Sequence, residues 1–228
     1  MDLIFDDIFV HVKLVPPAST TLLARPAAKP MKIDGSLAES AGVPATHIAG
    51  NRHATMENKP RSAPGYAASI RTCRDKDNLY FAFEVTEPTV DEGDWFPEII
   101  ELFIDGRKDT SRAGNVWQRT KGLTQFAFHR DFSGKAGPTN AKAMVNGDKT
   151  QGENVRAAAT RTDTGYIMEV AIPIANFKQV TLGEGSELPI DWALSFTDQR
   201  FNLDWMGLMG RTARTSGYGT LILAPAGK

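Results

Sequence analysis

Residues 95–105, W-F-P-E-I-I-E-L-F-I-D, gather in one segment an indole plate, Trp95, and the carboxylates Glu101 and Asp105. From Glu98 the residues alternate. Ile100, Leu102 and Ile104 point one way and Glu101, Phe103 and Asp105 the other, which is the two-residue period of a half-buried strand. Glu101 therefore belongs to the non-core face of that strand or to a cleft beside it. A ring just ahead of a strand, with a carboxylate six residues on, points to a small polar ligand held against the ring, and sugar is the natural candidate. A pyranose has an apolar C–H face that stacks on indole, and aromatic contacts add roughly 0.5 to 1.5 kcal/mol beyond area burial. Its hydroxyls lose water on binding and must be re-paired, with an ionised Glu as acceptor and an Asn amide as both donor and acceptor.

Other side chains offer competing chemistry. Glu101 with Glu169 has the makings of a glycosidase pair, which needs carboxylates about 5 to 9.5 Å apart, although carboxylates on sheet faces are more commonly solvated or paired with Arg. Asp75 and Asp77 in a turn, and Asp105 with Asp109 after a strand, are hard oxygen donors of the type calcium takes. Turn formation explains the first pair equally well. The four histidines, His11, His47, His53 and His129, have no close metal-binding spacing and read as loop and surface residues. Met168, Met206 and Met209 with His129 supply axial-ligand chemistry for haem, against the plainer reading of Met as packing. The single cysteine, Cys73, excludes an internal disulfide and reads as an inert buried thiol.

These residues need a frame, and the chain supplies a β-rich one. Its 228 residues suffice for one all-β domain with a full core. With 26 basic and 27 acidic side chains there is no electrostatic case for a nucleic-acid or anionic-membrane partner. No apolar run approaches the length of a membrane span, and the first residues, MDLIFDDIFVHVK, lack the pattern of a signal peptide. Residues 1–30 read as an N-terminal strand followed by a Pro-rich, linker-like extension, and residues 31–228 as one domain. Within it, 31–41 suggests a short strand and an Asp-Gly turn, and 42–65 a loop. Residues 67–74 and 79–85 form a hairpin around D-K-D-N, and 123–130 the strand after a long basic loop that carries Trp117. Residues 154–161 and 165–172 form a second hairpin, and 188–197 a strand with Trp192 inward. D-Q-R-F-N-L-D-W-M-G-L-M-G reads as a loop, and G-Y-G-T-L-I-L closes the sheet. Short strands with almost no helical periodicity predict an all-β, antiparallel β-sandwich or jelly roll.

The ordered motifs K-I-D-G-S-L-A-E, D-K-D-N-L-Y-F-A-F-E-V, W-F-P-E-I-I-E-L-F-I-D, G-Y-I-M-E-V-A-I-P, W-A-L-S-F-T-D and S-G-Y-G-T-L-I-L, spread over residues 31–223, resemble the family 9 carbohydrate-binding modules. The resemblance implies a non-catalytic module, extracellular or periplasmic and attached to or associated with a xylan- or cellulose-degrading or other glycan-active enzyme. It implies two tryptophans clamping a terminal sugar, a Glu and an Asn bonding its hydroxyls, and structural calcium. Carried over by motif, Trp95 and Trp205 are the clamp, and Glu101 and Asn202 the polar partners. Gln125 and His129 lie on the strand where some members place an Arg. Asp75, Asp77 and Asp105 are the carboxylates available to calcium. Two further readings stay beside this one: a haem-binding redox module on a related sandwich, and a glycoside-active enzyme using Glu101 and Glu169.

Overall fold

The structure, a computed structural model, describes residues 19–50, 54–56, 59–60, 63–88, 98–108, 116, 119–129, 139–140, 142–196, 201–206, 215 and 217–226. The strands are, in chain order, β1 (Thr21–Pro26), β2 (Ala45–Ala49), β3 (Ala54–Met56), β4 (Lys59–Pro60), β5 (Ala67–Arg74), β6 (Asn78–Thr86) and β7 (Glu98–Asp105). There follow β8 (Leu123–His129), β9 (Thr139–Asn140), β10 (Lys142–Gly147), β11 (Arg156–Thr162), β12 (Gly165–Pro173), β13 (Glu187–Phe196), β14 (Phe201–Asp204) and β15 (Gly219–Leu223). One sheet runs β10-β8-β7-β13-β15-β1, the other β1-β5-β6-β12-β11-β9, and together they form the predicted sandwich. Two forks widen it: β14 shares the free edge of β13 with β15 and carries β3, and β2 shares the edge of β5 with β1.

The strand β1 joins the two sheets. Thr21 to Ala24 pair in parallel with Thr220 to Leu223 of β15, and Arg25 and Pro26 pair in parallel with Cys73 and Arg74 of β5. Residues 21–26, read as part of the Pro-rich extension, are thus a strand paired on both sides. Leu22 and Ala24 alternate into the core, and Pro26 falls at the last position of the strand, where a missing N–H is tolerated. The expected strand over 1–15 lies outside the described residues. Loops expected over 42–65 and after Phe196 also contain strands, β2 to β4 and β14, because backbone pairing with distant partners supplies what their mixed composition does not advertise.

Alternation builds the core. Phe81, Phe83 and Val85 of β6, Met168 and Val170 of β12, Leu102 of β7, Phe126 of β8 and Trp192 and Leu194 of β13 all point between the sheets. The rings of Phe83 and Trp192 meet across the gap at 5.7 Å, and Tyr66 packs edge-on against Phe196 at 4.8 Å and Phe201 at 4.9 Å.

The outward face of the second sheet is covered by its own chain. Cys73, Tyr80 and Ala171 pack under Ala27, Met31, Ile33 and Val43. Burial, with Glu169 and Asp75 nearby, pushes the Cys73 thiol up to about 12, which leaves it unreactive at neutral pH. Residues 31–33, expected as a short strand, pair with no strand among the described residues. Instead the turn that follows closes on a side chain, since Glu169 Oε2 accepts the backbone N–H of Asp34 at 3.1 Å, Gly35 at 3.1 Å and Ser36 at 3.3 Å. Gly35 is required there. Its φ is +76°, and a Cβ would stand 2.5 Å from Thr160 Oγ1 and 2.8 Å from the Ala159 carbonyl carbon.

Candidate functional site

The outward face of the first sheet is the candidate site. Because β7 buries Ile100, Leu102 and Ile104, it turns Ile99, Glu101, Phe103 and Asp105 away from the core. Glu101 lies opposite Ala127 of β8 and Ala193 of β13, so its direct neighbours are methyl groups. The polar groups come from the diagonals. Gln125 sits opposite Phe103 and Ser195 opposite Ile99, two residues to either side, within reach of a long side chain.

Both diagonal neighbours bond the carboxylate. Gln125 Nε2 donates to Glu101 Oε1 at 2.5 Å and Ser195 Oγ donates to Oε2 at 2.6 Å, while Asn146 Nδ2 of β10 donates to Gln125 Oε1 at 3.1 Å. Asn202 of β14 stands directly opposite Ser195. A line of polar side chains thus crosses the sheet through five strands, Asn146, Gln125, Glu101, Ser195 and Asn202. Glu101, Ser195, Asn146 and Asn202 are half-buried, whereas Gln125 is 4% exposed. His129 shares the face, opposite Ile99, and burial lowers the pKa of its imidazole, which is therefore neutral at pH 7.

One end of this face is closed. Phe103, Val116, Leu123 and Tyr218 form a small second cluster over it, with the Phe103 and Tyr218 rings 6.2 Å apart. Beside them Arg107 forks onto Asp105, Nε to Oδ1 at 2.7 Å and Nη2 to Oδ2 at 2.6 Å, and Thr215 Oγ1 donates to Oδ2 at 2.8 Å.

Several sequence expectations change here. Trp205 is not an open wall. The chain bends directly after Asp204, but the Trp205 N–H still meets the Trp192 carbonyl at 3.1 Å, so Trp205 follows β14 in the β13 register three positions beyond Asn202, on the opposite face. Asn202 therefore points outward and Trp205 inward, where it is fully buried, lies against Gly219 and donates its indole N–H to the Ser19 carbonyl at 3.1 Å. Its expected partner Trp95, and Trp117, lie outside the described residues.

The carboxylates offered for calcium have partners within the chain. Asp75 Oδ1 accepts the backbone N–H of Asp77 and Asn78, and Oδ2 the Tyr80 hydroxyl, so it closes the β5–β6 hairpin. Asp77 pairs with Lys76 and Asp105 with Arg107, while Asp109 lies outside the described residues. Among the described residues no three His, Cys, Asp or Glu side chains come together to hold a metal ion.

The glycosidase pair fails on topology. Glu101 and Glu169 face outward from different sheets with the core between them, and Glu169, at 1% exposure, is enclosed by the 34–36 turn. The haem set is also divided, since Met168 is in the core, His129 is on the outward face of the first sheet and Met209 lies outside the described residues.

Sequence reasoning did not single out Ser195 and Asn146. The parity of Trp192, Leu194 and Phe196 already turned Ser195 outward, but only the strand order shows that β13 and β8 flank β7 and bring both donors to one carboxylate.

The fold has known counterparts. Two solved structures of a family 9 carbohydrate-binding module from Caldicellulosiruptor kristjanssonii, one in complex with cellotriose and one with glucose, superpose with TM-scores of 0.65 and 0.64. Each is 14% identical and covers 91% of this chain, and the overlap is 95% and 97% of theirs. At that identity the likeness concerns the fold. No curated protein matches the chain by sequence. The pattern of the carbohydrate family 9 binding domain-like family matches residues 33–224, most of the chain, and the chain belongs to that family.

Proposed function

We propose that the outward face around Glu101 binds the terminal sugar of a glucan or a short gluco-oligosaccharide without catalysing its cleavage. The observation that carries this reading is the Glu101 carboxylate, fixed by side-chain donors on an otherwise small-residue stretch of sheet, with the Asn202 amide one strand beyond Ser195. The relatives with cellotriose and glucose bound support the choice of ligand class. In this reading Glu101 accepts sugar hydroxyls, Asn202 donates and accepts, and Trp95 provides one stacking plate, six residues ahead of Glu101 in the sequence. The setting that fits such a module is beside a glycan-active enzyme outside the cytoplasm, with the enzyme supplying the chemistry.

One plate and two polar anchors correspond to an affinity on the order of 10 μM, roughly -7 kcal/mol. Calorimetric titration with glucose, cellobiose and cellotriose tests the reading. Wild type should release heat with at least the oligosaccharides. Glu101→Ala should weaken binding about 10- to 100-fold, the scale of a hydrogen bond to a charged group, and Trp95→Ala about 5- to 10-fold. Absence of heat from wild type with all three sugars would remove the proposal.

A further inference from the structure

The hydrogen bonds around Glu101 have a direction, and the charge sets it. An ionised carboxylate only accepts, so the Gln125 atom 2.5 Å from Oε1 must be the amide nitrogen, and the Ser195 hydroxyl 2.6 Å from Oε2 must donate. The amide oxygen of Gln125 then lies at the far end, where it needs a donor. Asn146 Nδ2 supplies it at 3.1 Å. Gln125 is left with little else to do, because its two ends are engaged and it is 4% exposed. We propose that Gln125, Asn146 and Ser195 are positioning residues: they hold both oxygens of the Glu101 carboxylate in one orientation, so that incoming sugar hydroxyls meet a fixed double acceptor. This moves Gln125 from direct contact with ligand to support of the residue that makes the contact. It rests on the reading that Glu101 accepts sugar hydroxyls.

The physical reason for such a relay is entropic. A half-buried Glu side chain that swings among rotamers must be frozen when ligand binds, at a cost in conformational entropy. Two pinned oxygens remove that cost in advance. A carboxylate has about four acceptor directions, so donors lying along the sheet are compatible with hydroxyls arriving from above it. Asn146 matters although it is two strands from Glu101, because its N–H holds the far end of Gln125 in the orientation that the carboxylate selects.

The near-isosteric Asn146→Asp substitution is the most direct test. It keeps shape and packing but replaces the donor with an acceptor, so the Gln125 amide turns its NH2 toward the new carboxylate and its oxygen toward Glu101. Titration with cellotriose should show binding about tenfold weaker than wild type, with thermal unfolding little changed, an outcome that a packing role for Asn146 would not produce. Ser195→Ala should weaken binding about threefold to tenfold, and Ser195→Thr, which keeps the hydroxyl on a strand-favouring residue, should restore it to within about twofold. In ligand-free protein the Gln125 side-chain amide resonances, assigned by their loss in Gln125→Glu, should shift in Asn146→Asp and in Glu101→Ala. If wild type binds and Glu101→Ala does not, while Asn146→Asp and Ser195→Ala bind as wild type does, the positioning role is overturned and the binding site stands. If wild type binds no glucan, the binding reading falls, and the positioning role falls with it.

Discussion

Two glutamates on outward faces of this sandwich, Glu101 of β7 and Glu169 of β12, begin from the same strand geometry and end in opposite roles. Glu101 is met by side chains from its own sheet and stays half-buried. Glu169 is met by three backbone N–H groups of a distant turn and is sealed beneath it, with its second oxygen, Oε1, buried and without a hydrogen-bond partner. Backbone donors come attached to a chain that must lie over the carboxylate, so they bring burial with them. Side-chain donors reach along the sheet and need no chain above it. On the proposed function, the kind of donor separates the two glutamates better than charge, strand position or alternation does.

The largest expected effect is on the sealed side. Glu169→Ala takes the acceptor from the N–H groups of Asp34 and of buried Gly35, while the Ser36 N–H keeps Asp34 Oδ1, and at about 1 to 3 kcal/mol for each unsatisfied group, partly relieved by water as the turn loosens, the net loss should be about 3 kcal/mol. Glu101→Ala should cost less, about 1 kcal/mol for the one buried donor it leaves, Gln125 Nε2, although it weakens binding. Urea unfolding of both variants makes the comparison, and equal losses would break it. Next in size is Gly35→Ala. The left-handed φ of +76° costs an L-residue about 1 to 2 kcal/mol, and the new Cβ meets Thr160 Oγ1 and the backbone of Ala159. About 2 kcal/mol of stability should go while the affinity for cellotriose stays within twofold of wild type, since the turn covers the other sheet.

How much of this was legible in the chain follows from the range of the interactions. The alternation of β5, β6, β7, β12 and β13 read correctly from local pattern, and it placed Glu101 outward and Trp192 in the core. The hairpin turn at Asp75 was equally local, within four residues of sequence. F-N-L-D-W was read as loop because it looks like one by composition; its pairing with β13, and the Trp192 carbonyl that receives the Trp205 N–H, place the third residue after Asn202 inward. The strand β1 was misread for a similar reason, since Ala and Pro carry little strand signal and its partners lie about 50 and 200 residues away. The latch of residues 34–36 onto Glu169 spans more than 130 residues, and no local pattern announces it. Ser195 was visible as an outward residue, but its partner was set by strand order, which local periodicity does not encode.

The sharpest comparison uses one chemical change at both positions, Glu to Gln, which keeps size and removes charge. At position 101 the carboxylate loses one of its two acceptor oxygens, so either Gln125 or Ser195 loses its acceptor, and sugar binding should fall about tenfold or more. At position 169 the outcome depends on whether charge or hydrogen bonding holds the turn. Burial pushes the Glu169 carboxyl above its ordinary value of 4.5; the N–H groups of Asp34, Ser36 and Gly35 pull it back without cancelling the rise, and the Asp34 charge adds to it. A folded-state value raised in this way means that the carboxyl contributes stability that is fully present below pH 4.5 and is lost as pH rises through the folded value. A neutral amide avoids that loss. Its oxygen can still accept the three backbone N–H groups, and its NH2 replaces an oxygen that had no hydrogen-bond partner. Glu169→Gln should therefore be within about 1 kcal/mol of wild type, or above it, at pH 7, and should lose ground relative to wild type as pH falls toward 4. Urea unfolding of both proteins at pH 4, 5.5 and 7 measures this directly. If the cost of Glu169→Gln instead grew as pH rose, the ionised carboxylate itself would be holding the turn, and the two glutamates would differ in what they hold but not in how.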